Sequence, residues 1–252
     1  MASEDMLMPS LKSFYASEAE YLYTFHIGKS PAFIYVNNPK CGCSTAKASL
    51  NRWYAAWHGQ TLEHKSLGDV HSRAFNPLVN PNALGADAEE IILHDPNYFR
   101  VTLLREPVSR AVSAYANKLS WDSIERQSFN ERIGISPETP LSLTAFLETI
   151  HEDSTLRDMN EHWRLQTQQI AAAVIKYDMI CLTETLDQDL LTVRDRLFPG
   201  VASGNFETSA PFLHNRSNAS TLVKDISHYE RGLIEKIYEA DMSFYAQALN
   251  GR

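Results

Sequence analysis

The chain has 252 residues, of which 44% are hydrophobic and 21% charged, and its formal net charge is −8 at pH 7. This length suffices for one sizeable domain with its own core, and we expect residues 1–252 to form a single domain. The negative charge excludes bulk attraction to nucleic acid or to anionic membranes as the basis of function.

The cysteines and the apolar runs indicate the compartment. Cys41, Cys43 and Cys181 are odd in number and two of them are one residue apart, which does not suit a disulfide framework. No apolar run approaches the roughly 18–20 residues of a membrane span. The first five residues include two acidic and no basic side chains, unlike the basic start of a secretory signal. We therefore expect a soluble cytoplasmic protein with reduced thiols and no membrane span.

The first half of the chain predicts two helices around a buried strand. Apolar residues recur at helical spacing over residues 11–26, which predicts a leading helix. Residues 32–36 form a short continuous apolar run, typical of a strand buried on both faces. From Ser44 to about Gly59 the apolar positions form one stripe of an amphipathic helix. Residues 61–96 are rich in turn formers and predict a long, partly irregular connection.

The second half continues the alternation. Residues 98–104 predict a second buried strand, and Pro107 suits the first turn of the helix that follows. Strands separated by helices indicate an α/β fold with a central, mainly parallel β-sheet flanked by helices. The remaining predictions are a polar excursion at 121–140, helices at 141–150 and 160–175, a strand at 179–182, a helix at 187–198, a loop at 200–220 and a helix at 224–249.

The segment between the first strand and its helix, here named the lysine loop, reads Pro39-Lys40-Cys41-Gly42-Cys43-Ser44-Thr45. A small-residue loop before a helix N-terminus offers backbone N–H groups and the positive end of the helix dipole to an anion. Lys40 adds a full charge, and Ser44 and Thr45 add hydroxyl donors. The nucleotide P-loop needs Gly-Lys-Ser/Thr, whereas this lysine precedes the glycine. The lysine loop predicts a site for a phosphate-like or sulfate-like group, and a plain strand-to-helix turn explains it equally well.

The segment after the second strand, here named the arginine segment, covers Arg105 to Tyr115. Arg105 follows the strand directly, and ligands of open parallel sheets collect at the carboxyl ends of strands. Ser113 lies eight residues later on the polar face of the predicted helix. An arginine fork and a hydroxyl suit one phosphate. A surface Arg–Glu pair that caps the helix is the alternative.

Together the two segments resemble the sulfotransferases that use 3′-phosphoadenosine 5′-phosphosulfate (PAPS). In that family a Pro-Lys-x-Gly/Ala-x-Thr/Ser loop holds the 5′-phosphosulfate, and an Arg-(Asp/Glu/Asn)-Pro-x-x-Arg-x-x-Ser-x-Tyr segment holds the 3′-phosphate. The chain is most similar to the carbohydrate sulfotransferases of the chondroitin/dermatan type and their bacterial relatives, with further likeness at residues 160–166 and 177–186. The resemblance covers roughly residues 33–193.

The resemblance implies a three-layer fold and transfer of a sulfuryl group from PAPS to an acceptor hydroxyl of a carbohydrate or small metabolite. The desulfated donor, 3′-phosphoadenosine 5′-phosphate (PAP), is the other product. No metal is expected, because lysine and helix dipole supply the positive charge. Eukaryotic members carry a membrane anchor that has no counterpart here, so Golgi residence is not expected. The implied donor-binding residues are Lys40, Cys41, Gly42, Cys43, Ser44 and Thr45 at the 5′-phosphosulfate, and Arg105, Ser113 and Arg216 at the 3′-phosphate.

Sulfuryl transfer also needs a group that removes the acceptor proton, and a histidine suits that task near neutral pH. His71 lies between the two segments, where related sulfotransferases place a candidate base, and it is the predicted one. His94 is the second choice, and Glu63 and Asp69 follow. His162, beside a tryptophan, is interpreted as a packing residue.

Two other functions stay open at this point. A nucleotide-dependent kinase with an atypical phosphate loop would need ATP and Mg²⁺. A non-catalytic nucleotide-binding protein would bind without turnover. The sequence also leaves a homodimer open.

Overall fold

The computed structural model describes residues 9–201 and 219–251. Within them, one sheet has the strand order β1-β2-β3-β4. The first pair is antiparallel, and the other two pairs are parallel. This confirms the predicted α/β fold with a mainly parallel sheet. The strands are β1 (Phe25–Lys29), β2 (Ala32–Val36), β3 (Phe99–Leu104) and β4 (Met179–Leu182).

Helices flank the sheet and account for most of the remaining described chain. Short 3₁₀ helices lie among the α-helices, at Leu11–Phe14, Arg73–Phe75, Pro81–Asp87 and Thr183–Thr185. The α-helices are α1 (Glu18–Thr24), α2 (Cys43–Trp57), α3 (Leu67–His71), α4 (Ala88–His94), α5 (Pro107–Lys118), α6 (Ile124–Arg132), α7 (Leu143–Glu152), α8 (Ser154–Asp158), α9 (Gln166–Gln169), α10 (Leu186–Leu197), α11 (Ala219–Asp225), α12 (His228–Ile237) and α13 (Glu239–Asn250).

Strand β2 lies in the centre of the core, since apolar side chains leave both of its faces. Phe33 and Tyr35 pack on one side with Trp53 of α2, in a cluster that continues to α10. Ile34 and Val36 pack on the other side with residues of β1, α4 and the chain before β4. A separate cluster joins α5, α7 and α12. The continuous apolar run is therefore buried on both faces, as predicted.

The leading helix was predicted too long. Helix α1 ends at Thr24, and Phe25–Lys29 forms an antiparallel edge strand in which His26 pairs with Tyr35. Pairing with β2 and burial of Phe25 and Ile27 favour the strand, since a ladder partner overrides local helical spacing.

Three other predicted segments also differ. Residues 160–175 hold only the short α9. Before it, Nε1 of Trp163 donates a 3.0 Å hydrogen bond to the carbonyl of Leu156. Residues 224–249 hold the end of α11 and then two helices, α12 and α13, that meet at Tyr238, rather than one helix. The polar excursion at 121–140 contains α6. In residues 9–201 and 219–251, no helix has the length and apolarity needed to cross a membrane.

Candidate active site

The lysine loop forms a tight turn between β2 and α2. Lys40 and Gly42 have φ angles of 69° and 84°, in the left-handed region that favours glycine. A Cβ atom at Gly42 would lie 2.7 Å from Cδ2 of Leu186, so space as well as conformation requires glycine. Helix α2 begins at Cys43, and N–H groups in its first turn have no acceptor within the helix. These groups and the helix dipole create a favourable position for an anion.

A cavity of about 580 Å³ opens at the carboxyl ends of β2 and β3. It brings the lysine loop, the arginine segment and α3 into one site, although they are far apart in the sequence. The sequence-predicted residues that line it are Lys40, Gly42, Cys43, Ser44, Thr45, His71, Arg105 and Ser113.

Arg105 connects the two predicted segments directly. Its guanidinium donates a 3.1 Å hydrogen bond to the carbonyl oxygen of Lys40. Its own backbone is fixed by Gln166, whose Oε1 accepts from the Arg105 N–H at 3.1 Å and whose Nε2 donates to its carbonyl at 2.9 Å. The guanidinium is therefore held beside the lysine loop rather than on the open surface.

Gln166 is a buried hub that sequence reasoning missed. Besides Arg105, its Oε1 accepts from Nδ2 of Asn38 at 3.2 Å and from the thiol of Cys41 at 3.1 Å. One amide thus joins the ends of β2 and β3 and the lysine loop. Gln166 ends the stretch of family likeness at 160–166, but its contacts could not be read from the sequence, because its partners Asn38, Cys41 and Arg105 are over 60 residues away.

The side chain of Cys41 does not face the cavity. It is fully buried, it packs in the cluster between the sheet and α2, and burial raises the pKa of its thiol to about 12. A ligand of the lysine loop would meet only the backbone of Cys41. Cys43 does line the cavity. The three cysteines are free thiols.

Lys40 lies in a strongly positive environment. Burial, together with the cations Lys118, Arg105 and Arg110 and against the opposite effect of Cys43, lowers the pKa of its ammonium group to about 8. Burial also lowers the pKa of Arg105. Grouped cations that destabilise one another favour the binding of a multiply charged anion.

Arg110 of the arginine segment supports the site from behind. Its Nε donates to the carbonyl of Pro39 at 3.2 Å. Its two terminal nitrogens donate to the carbonyls of Arg164 at 2.7 Å and Glu161 at 3.1 Å. The guanidinium is buried, so Arg110 fixes the lysine loop against α5 and the 161–164 segment.

His71 is held in a chain of polar contacts. Its Nε2 lies 2.9 Å from Oγ of Ser44, and its Nδ1 lies 3.0 Å from the hydroxyl of Tyr23. Nζ of Lys47 donates to the same Tyr23 hydroxyl at 3.0 Å. Burial, with Lys47 and Lys118, lowers the pKa of His71 to about 4. The imidazole is therefore neutral at pH 7.

The other predicted bases lie away from the cavity. His94 is exposed at the end of α4, before the amino end of β3. Glu63 is exposed. Asp69 caps α3, where its carboxylate accepts from the N–H groups of Lys65 and Ser66 at 2.7 and 3.1 Å. Arg216 lies outside the described residues.

Several cavity residues were not predicted from the sequence. Tyr23, Asn117, Lys118, Glu161 and Thr183 line the cavity, and so does His162, which was interpreted as a packing residue. His162 and Glu161 reach the site because the 160–165 segment turns instead of forming a helix. Within residues 9–201 and 219–251, no group of three or more His, Cys, Asp or Glu residues has metal-binding geometry.

Comparison with known proteins decides the family. The sequence model described as "Sulfotransferase family" matches residues 23–246. The chain belongs to the sulfotransferase family. All residues that line the cavity, from Tyr23 to Thr183, lie within the part of this sulfotransferase that matches.

Among curated proteins, this sulfotransferase is similar to carbohydrate sulfotransferase 14 of Danio rerio. The two are 26% identical over 176 residues, which cover 66% of this chain and 46% of the fish protein. The sulfotransferase thus matches less than half the length of that relative. No solved structure gives a significant match.

Proposed function

We propose that this sulfotransferase transfers a sulfuryl group from PAPS to a hydroxyl group of a carbohydrate or small-metabolite acceptor. The observation that carries the proposal is the joining of two anion-binding groups in one cavity. The guanidinium of Arg105 contacts the backbone of Lys40, and both line the same cavity as the N-terminus of α2.

The cavity suits a donor with several phosphate charges. Its volume of about 580 Å³ falls within the range of about 300–1,000 Å³ of small-molecule sites. Lys40, Arg105 and Lys118 supply full positive charges along its wall. Because burial lowers the pKa values of Lys40 and Arg105, a bound anion would relieve an existing electrostatic cost.

The residues divide into two clamps. Ser44, Thr45 and the amides at the start of α2 would hold the 5′-phosphate, with Lys40 at the bridging oxygen between phosphorus and sulfur. Arg105 and Ser113 would hold the 3′-phosphate, and Arg216 is a further proposed contact there. Ser113 is buried yet lines the cavity, which supports its proposed role at the 3′-phosphate. PAPS supplies the sulfuryl group and leaves as PAP.

Catalysis by these residues would consist of positioning and charge stabilisation, as in phosphoryl transfer. Lys40 would stabilise the charge that develops on the bridging oxygen, without a metal. A base must also take the proton of the acceptor hydroxyl. His71, the base predicted from the sequence, lines the same cavity as Lys40.

A similar protein, carbohydrate sulfotransferase 14, supports a carbohydrate as the proposed acceptor. The connection at 61–96 contributes Leu67 and His71 to the cavity wall. Asn117 and Lys118 at the end of α5 contribute on the other side. The acceptor would thus enter between α3 and the end of α5.

Two measurements test the proposal. PAP should raise the thermal unfolding temperature by mass action, whereas ATP with Mg²⁺ should not. Incubation with PAPS and a panel of desulfated dermatan, desulfated chondroitin and N-acetylgalactosamine should add the mass of one SO₃ group to an acceptor. Stabilisation by ATP and Mg²⁺ alone would support a kinase. Stabilisation by PAP with no transfer to any member of a broad acceptor screen would support a non-catalytic nucleotide-binding protein.

A further inference from the structure

The base of the proposed reaction must have a proton-accepting atom in the cavity that the protein does not already use. Three residues of the described cavity wall carry such a group beside Lys40: His71, His162 and Glu161. Their hydrogen bonds separate them.

His71 has both ring nitrogens engaged. Lys47 is a donor only, and its Nζ lies 3.4 Å from Nδ1 of His71. This Nδ1, which also lies 3.0 Å from the hydroxyl of Tyr23, therefore acts as an acceptor. The neutral ring then carries its proton on Nε2, which donates to Oγ of Ser44 at 2.9 Å. In this tautomer His71 presents no lone pair to an acceptor hydroxyl. It orients the Ser44 hydroxyl instead.

His162 is held in the opposite tautomer. Oδ1 of Asn160 accepts the backbone N–H of His162 at 2.9 Å and lies 2.8 Å from its Nδ1. Nδ1 therefore carries the proton, and Nε2 has the lone pair. Burial, with Lys118, Lys40 and Arg110, lowers the pKa of His162 well below its usual value. The ring can accept a hydrogen bond but holds a proton weakly.

Glu161 differs from His71 in having a proton-accepting atom that no described protein group uses, and from His162 in being a carboxylate. Its Oε2 is buried without a hydrogen-bond partner among the described residues, while the residue lines the cavity. A buried carboxylate oxygen without a donor is costly, so its retention here points to a partner that arrives with the substrate. A carboxylate would repel phosphate and sulfate groups, so it suits the acceptor hydroxyl and not the donor.

Burial favours proton uptake at the Glu161 carboxylate, against the effect of most of the charged groups around it. Burial raises its pKa, and Glu20 of α1 adds to that effect. Lys47 of α2, Arg164 and Lys118 of α5 act in the opposite direction. The carboxylate therefore gains proton affinity where the imidazole of His162 loses it.

We propose that Glu161 is the catalytic base, with His71 as a positioning residue for Ser44; this rests on the proposed sulfuryl transfer. The O–H bond of the acceptor breaks as its proton passes to the Glu161 carboxylate, and the acceptor oxygen forms a bond to sulfur. The bond between sulfur and the bridging phosphate oxygen breaks, and its electron pair remains on that oxygen beside Lys40. Glu161 then returns the proton to solvent.

The test compares Glu161→Gln with Glu131→Gln, an exposed glutamate of α6. The assay measures transfer from PAPS to the panel acceptor that the wild type sulfates: desulfated dermatan, desulfated chondroitin or N-acetylgalactosamine. Transfer by Glu161→Gln should fall by about 100-fold or more, and its pH profile should lose the acid limb of the wild type. PAP should bind it at least as tightly, because a negative charge is removed. Glu131→Gln should match the wild type.

Other outcomes overturn the assignment. Glu161→Gln transferring at the wild-type rate would overturn it while leaving the sulfotransferase function intact, whereas a wild type that transfers to no acceptor would remove both. If the pH profile of transfer lost its acid limb in His162→Gln or His71→Gln but kept it in Glu161→Gln, that histidine would be the catalytic base instead. Glu161→Ala should recover transfer on addition of formate. Failure of either Glu161 variant to fold would contradict the unpartnered state of Oε2.

Discussion

The guanidinium of Arg105 lies 3.1 Å from the backbone carbonyl oxygen of Lys40, across a separation of 65 residues in sequence. This single contact joins the segment after β3 to the loop after β2. Since β2 and β3 are parallel neighbours, both segments leave the sheet at the same edge. Two cationic side chains are thus presented to one cavity.

The first prediction concerns the 3′-phosphate. Arg105→Ala should weaken PAP binding about 10- to 100-fold, because a hydrogen bond to a charged group contributes about 1.5–3 kcal/mol. Binding of 5′-AMP, which lacks the 3′-phosphate, should change little. Isothermal titration calorimetry measures both affinities, and Arg132→Ala at an exposed site of α6 is the control. An equal loss for both nucleotides would contradict the assignment.

The second prediction separates chemistry from binding at Lys40. Lys40→Ala should lower turnover about 100-fold or more, because its charge is needed most on the bridging oxygen in the transition state. PAP has no sulfuryl group, and its affinity should change much less. Single-turnover rates and PAP titrations with the same preparation give the two values. A variant with normal turnover would exclude Lys40 from the chemistry.

The third prediction uses the pH dependence of Lys40. Its pKa in the ligand-free protein is lowered to about 8, so the ammonium is charged below that pH and loses its proton as pH rises through it. kcat/KM, which reports the free enzyme, should therefore decline above pH 8. Lys40→Arg keeps its charge at alkaline pH and should lack this decline. An unchanged alkaline limb in Lys40→Arg would assign that limb to another group.

The parts of the site that could be predicted from the sequence are those with local signals. Strand β2 is a continuous apolar run and β3 is rich in aromatic and branched residues. Each is followed by turn residues and a helix start, so the sequence predicts that Lys40 and Arg105 lie just after the ends of strands. Strand β1 carries no such signal, because its conformation depends on pairing with β2. Glu161 and His162 were missed since turns, not a helix, direct the 160–165 segment into the cavity.

Gln166 could not be predicted either, and it gives the fourth prediction. Gln166→Ala removes an acceptor shared by Asn38, Cys41 and the Arg105 amide, and each buried group left without a partner costs about 1–3 kcal/mol. We expect a loss of about 2–4 kcal/mol in the free energy of unfolding, together with weaker PAP binding.

Denaturant titration and calorimetry measure the two effects of the Gln166 substitution. Gln168→Ala, two residues along the same short helix and only partly buried, should change neither. If Gln166→Ala lost stability but bound PAP normally, the Gln166 contacts would support the fold without positioning Arg105.

The last prediction concerns the turn at Gly42. An alanine there would keep a φ of 84° and place its Cβ 2.7 Å from Cδ2 of Leu186. Gly59, at φ 69°, has the same type of backbone conformation, but a Cβ atom added there would meet no atom within 4 Å. Gly59→Ala should therefore show only the conformational cost, about 1–2 kcal/mol. Gly42→Ala should lose more, because overpacking adds about 1–3 kcal/mol.

The same pair of variants links the turn to donor binding. Gly42→Ala should also weaken PAP binding, since the strained turn and the contact with Leu186 would shift the first amides of α2 together with the Leu186 side chain. The double variant Gly42→Ala/Leu186→Ala should recover part of that affinity, because the smaller side chain removes the close contact while the backbone strain remains. Unfolding curves and PAP titrations on the four proteins measure these effects. If Gly42→Ala bound PAP as tightly as Gly59→Ala does, the turn would not shape the anion site.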